Sequence, residues 1–70
     1  MRLIKTIKFN PYIDIDFFTT QSGKTIKVRI TSSIHLPRER FLSQCFPASE
    51  YDPESILKTQ DFIKVIKRYE

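Results

Sequence analysis

The chain reads as a small α+β domain, a three-stranded antiparallel meander followed by one or two helices, with residues 1–70 as a single unit. Three observations predict this. Apolar residues alternate with polar ones from Arg2 to Thr31, the sole glycine sits at position 23 between two such runs, and the spacing turns helical after Ser33.

The organising stretch is Tyr12 to Thr31, a β-hairpin. A two-residue Ser22-Gly23 turn pairs Gln21 with Lys24, setting Phe17 opposite Val28 and Ile15 opposite Ile30, so that both apolar sets share one face. A three-residue loop would slip the register by one and put Asp16 opposite Val28. Parity therefore selects the two-residue turn. The opposite face then carries Tyr12, Asp14, Asp16, Phe18, Lys27 and Arg29, with Asp16 across from Arg29 and Phe18 across from Lys27.

Arg2 to Phe9 reads as the first strand, with Leu3, Ile7 and Phe9 inward and Lys5 as the exception. Asn10-Pro11 suits the start of a turn. Matching the inward faces of the first two strands needs an odd-length connection or a bulge, which leaves that register open.

Beyond Ser33, Pro37 suits a first helical position, and Phe41, Leu42, Cys45 and Phe46 fall on one stripe before Pro47. A short helix over 37–45 is the expectation, although Leu36 is a poor cap. The next start is stronger. Asp52 is placed to cap, Pro53 takes the first helical position with Glu54 behind it, and Tyr51 is spaced to staple against Ile56. Phe62, Ile63, Val65, Ile66 and Tyr69 cover one helical face, and Gln60, Lys64, Lys67 and Arg68 the other. The dense β-branched residues and off-stripe Leu57 allow an alternative, a break near Thr59 and a fourth strand from Asp61.

Seventy residues bury a modest core, and one cysteine excludes an internal disulfide. One Cys and one His fall short of the four ligands of a structural zinc site, so neither metal nor cofactor is expected. The apolar runs are too short for a membrane span, and charge alternates too early for a signal peptide, which points to a cytoplasmic chain without a membrane partner. Twelve Lys and Arg against eight Asp and Glu give +4 and a pI near 9.5. The excess is uneven: residues 1–40 carry +5, 41–61 carry −3, and 62–70 carry +2.

Catalytic chemistry has little to work with. His35 and Cys45 would stand on the order of 15 Å apart if the intervening chain were helical, against the ~3 Å of a nucleophile–base pair. Cys45 is therefore expected as a small buried hydrophobe and His35 as a surface residue. Asp14 and Asp16 share a face about 7 Å apart, but Asp16 has Arg29 as partner and no third acid or histidine completes a site. A single glycine cannot build a phosphate-cradling loop. The expectation is a non-enzymatic binding module.

Two kinds of partner fit. Lys8, Phe18, Lys27 and Arg29, with Tyr12, Thr20 and Thr31 nearby, would mix rings and cations on the outer sheet face, while Lys64, Lys67 and Arg68 would form a basic helical face. Together these predict contact with nucleic acid or a nucleoprotein complex. The alternative is a protein-docking inhibitor or accessory subunit, phage-type or anti-CRISPR-like, that blocks a site on a larger protein machine. Its features are the aromatic excess and the acidic segment Glu50 to Glu54. Homodimerisation through the same aromatic face is a third use of it.

Overall fold

The computed structural model describes residues 1–34 and 36–69. Its elements are β1 (Arg2–Asn10), β2 (Ile13–Thr19), β3 (Thr25–Ser32), β4 (Glu39–Phe41), β5 (Phe46–Pro47), α1 (Pro53–Ile56), α2 (Gln60–Ile66) and a 3-10 turn (Lys67–Tyr69). The sheet is antiparallel in the order β1-β2-β3-β4, and β5 also pairs with β3. The three-stranded meander is present, and two short strands extend it.

The hairpin has the register that parity selects: Phe17 pairs with Val28, Ile15 with Ile30, Asp16 with Arg29 and Phe18 with Lys27. Its connection differs in length. Thr20 N–H donates to the Thr25 carbonyl at 3.1 Å and Gly23 N–H to the Thr20 carbonyl at 2.9 Å, closing the four-residue loop 21–24. Four residues preserve the parity of two, so the face assignment survives the change of turn. Gly23 takes φ +73°, a left-handed conformation that a side chain would disfavour.

The first strand solves its register problem with two bulges. A tight link at Pro11-Tyr12, where Asn10 Oδ1 accepts from Tyr12 N–H at 2.8 Å, would by itself set Ile7 opposite Asp16. An irregularity at Phe9 shifts the pairing and brings Ile7 opposite Ile15. A second one at Ile4 flips the strand again, so that Leu3 pairs with Phe18 on the outer face and is 52% exposed. Leu3 is thus not inward as its alternation implied. Lys5, opposite Phe17, faces the helical side and meets Glu54 of α1 at 2.6 Å.

The expected helix over 37–45 does not form. Residues 39–41 and 46–47 instead lie along the open edge of β3, with flanking bonds from Ser32 N–H to the Arg38 carbonyl (2.7 Å), Leu42 N–H to Val28 (2.9 Å) and Ala48 N–H to Lys24 (2.9 Å). A nine-residue helix without a cap has little stability of its own, whereas the edge of a central strand offers a row of unpaired backbone groups. The apolar stripe separates accordingly: Leu42 and Phe46 enter the core, while Phe41 and Cys45 are exposed. Cys45 is therefore not the buried hydrophobe its spacing suggested.

The C-terminal segment is helical with a break. Asp52 caps α1 by accepting from Ser55 N–H at 2.8 Å, and Asp52 N–H in turn donates to Ser55 Oγ at 2.9 Å. Thr59 then caps α2, its hydroxyl oxygen accepting from Phe62 N–H at 3.3 Å. The interruption at 57–59 accounts for Leu57 lying off the stripe, and residues 60–66 beyond it form a helix rather than a fourth strand. Ile56, Phe62, Ile66 and Tyr69 seal the core from this side against Ile13, Ile15 and Phe17 of β2 and Ile26, Val28 and Ile30 of β3. The helical layer thus covers one sheet face. The other is uncovered by any described element.

Candidate functional site

The uncovered face is built around Asp16, which is 7% exposed. Its carboxylate accepts from the hydroxyls of Thr6 at 2.8 Å and Thr31 at 3.1 Å and from Arg29 Nε at 3.0 Å, while Arg29 Nη2 stands 2.9 Å away. Burial pushes this carboxyl group's pKa up. The hydrogen bonds from Thr6, Arg29 and Thr31, with the guanidinium charge, outweigh burial and hold it below the ordinary aspartate range. Arg29 also reaches Glu39 through Nη1 at 3.6 Å, and its guanidinium carbon lies 4.9 Å from the Phe18 ring centroid and 6.0 Å from that of Phe41. The two rings stand 6.0 Å apart.

Sequence alternation therefore located the centre of this cluster. It missed Phe41 and Glu39, which reach the face only because β4 pairs Phe41 with Arg29 and Glu39 with Thr31. No apolar alternation marked them, because Arg38, Glu39 and Arg40 are all charged and Phe41 is the one apolar residue of that run.

Charge on this face is largely answered from within. Lys8 pairs with Asp14 at 3.4 Å, and Arg29 lies between Asp16 and Glu39. Lys27 alone of the three nominated sheet cations has no ion pair among the described residues. With Lys8, Lys27 and Arg29 against Asp14, Asp16 and Glu39, the described residues of the face carry no net charge. Its apolar content is larger than expected, because Leu3 (52% exposed) and Phe41 (43% exposed) flank the half-buried Phe18.

Lys64, Lys67 and Arg68 are exposed on the solvent side of the helical layer. They consequently lie across the molecule from Lys8, Phe18, Lys27 and Arg29, and the two nominated sets form no single surface. A fourth cation joins the helical set. Arg40 pairs with Ile30 in the sheet and so stands at the edge on the helical side. Arg40, Asp61, Lys64 and Arg68 rim a groove of about 240 Å³ between the 42–44 segment and α2. None of the four is in an ion pair among the described residues.

Of the remaining candidates, Asp14 and Asp16 share the outer face but are engaged by Lys8 and by the Thr6–Arg29–Thr31 cluster respectively. His35 lies outside the described residues. Among the described residues no three His, Cys, Asp or Glu side chains gather at metal-binding distance, and no helix is long and apolar enough to cross a membrane. Comparison with protein-family models, curated proteins and solved structures finds no match to this chain.

Proposed function

We propose that the protein is a small non-enzymatic module that binds nucleic acid, or a nucleoprotein complex, through its helical side. The observation that carries this reading is where cations cluster outside any ion pair, with Asp61 as the one acidic neighbour among the described residues lining the groove. Arg40, Lys64, Lys67 and Arg68 make no ion pair among the described residues, whereas Lys8 and Arg29 on the sheet face are held by carboxylates. An unanswered cluster of like charge attracts a polyanion and releases its counterions on contact.

The test is a titration of labelled single-stranded and duplex oligonucleotides at rising salt. Log K is expected to fall linearly with log salt, and Lys67→Gln to lower the slope by about 0.7 for a single strand or 0.9 for duplex DNA. Absence of binding at low salt, or binding indifferent to salt, would remove the reading.

A second reading, docking on a protein partner, is favoured by one specific feature. Leu3, Phe18 and Phe41 adjoin on a sheet face of zero net charge that no described element covers. Contiguous exposed apolar surface of this kind is what protein interfaces use. The two readings occupy opposite sides of the molecule and are compatible with a module that joins a protein to a nucleic acid.

A further inference from the structure

We infer that the groove between residues 42–44 and α2 seats a phosphate group of the nucleic-acid backbone, with Arg40, Lys64 and Arg68 as its cationic contacts. This rests on the nucleic-acid reading above and adds to it the place of contact and a residue from the sheet edge. Arg40 reaches the groove because β4 pairs it with Ile30, whose side chain is in the core beneath the helices. Lys64 and Arg68 are four residues apart on the segment that runs from α2 into the 3-10 turn, and both line the same groove.

Among the described residues, three cations and one carboxylate, Asp61, line the groove and give its rim a net charge of +2. Like charges four apart on a helix oppose each other, and bringing a third cation up from a strand adds to that repulsion. A bound anion relieves it. The geometry limits the ligand: about 240 Å³ is below the roughly 300–1,000 Å³ of sites that enclose a small molecule. A single phosphate group is small enough to sit in such a groove. Ser43 and Gln44, also lining the groove, supply neutral hydrogen-bonding groups of the kind that fix a phosphate in position. A backbone site of this type selects charge, and sequence only weakly.

The experiment compares wild type with Arg40→Gln, Arg68→Gln, Asp61→Asn, Lys67→Gln and Lys27→Gln in the salt titration, with thermal melts to confirm folding. Arg40→Gln and Arg68→Gln are each expected to lower the slope by about 0.7 on a single strand or 0.9 on duplex. Asp61→Asn is expected to tighten binding several-fold, since it removes a carboxylate on the rim that repels the ligand, and Lys27→Gln to change nothing. If Lys67→Gln lowers the slope while Arg40→Gln and Arg68→Gln leave it at the wild-type value, the helical side binds nucleic acid but the groove does not, and the groove proposal falls alone. If wild type itself shows no salt-dependent binding, the proposal and the functional reading fall together. Looser binding on Asp61→Asn would likewise overturn the groove assignment.

Discussion

At Asp16 the chain does what a buried carboxylate requires, surrounding it with enough donors to offset the loss of water. Thr6, Arg29 and Thr31 come from the two strands flanking β2, so one side chain ties β1, β2 and β3 together on the face opposite the core. Because the folded state holds this group below its ordinary pKa, the unfolded state binds its proton first. The stabilisation is therefore fully present above the ordinary aspartate range, about 3.9, and is lost as pH falls through the lower folded value. Asp16→Asn is expected to lower stability at neutral pH by about 1–3 kcal/mol. It should also flatten the decline of stability below about pH 4, which urea denaturation at a series of pH values would measure. An acid limb as steep as in wild type would mean that other carboxylates govern it. The Asp16–Arg29 pairing was legible in the sequence because hairpin register is a matter of parity. Glu39 and Phe41 were not legible, since a partner brought by a non-local strand leaves no mark in the hairpin itself.

At the scale of elements, period and capping were informative wherever the competing partner was local. The alternation of β3 matches its burial residue by residue, and Asp52-Pro53 marks the start of α1. The helix expected over 37–45 is not there because the fate of this segment depends on the open edge of β3, whose residues pair with it from 8 to 22 positions upstream, beyond a local window. The region 57–69 depends on a detail of the same kind. Thr59 has the chemistry of a cap, yet a continuous helix through it satisfies the apolar stripe nearly as well. With α1 of four residues and α2 of seven, neither helix carries much stability alone, so their caps matter more than in long helices. Thr59→Ala is expected to destabilise by about 0.5–2 kcal/mol, with Thr59→Ser keeping most of the wild-type stability. Asp52→Ala should also lower the melting midpoint, and Asp52→Ser should largely restore it. Midpoints of Thr59→Ala and Asp52→Ala at the wild-type value would mean that core contacts of Phe62 and Ile56, not the caps, hold these turns.

The whole molecule has two layers and therefore two outer sides of different character: a helical side with unanswered positive charge, and a sheet side that is neutral and partly apolar. This division was only partly legible from alternation and helical spacing, which nominated cations on both sides and matched Arg29 alone with a carboxylate, Asp16. It leads to a test in which the two sides respond independently. Phe17 lies wholly in the core, and its replacement by Ala should cost about 3–5 kcal/mol, enough to unfold much of a domain this small. Phe41 has the same side chain on the open face, where its contacts are Phe18 and Arg29. Phe41→Ser should cost only about 0.5–1.5 kcal/mol, the scale of one aromatic pair. Because Phe41 is across the sheet from Arg40, Lys64 and Arg68, the variant should also keep the wild-type affinity for nucleic acid. Urea denaturation and the oligonucleotide titration read these quantities separately. A loss at Phe41 comparable to that at Phe17 would show that the sheet side is part of the stabilising core and not a surface free for a partner. Markedly weaker oligonucleotide binding by Phe41→Ser would return the nucleic acid to the sheet face, with Phe18 and Lys27 as its contacts, and would end the assignment of the two sides to different tasks.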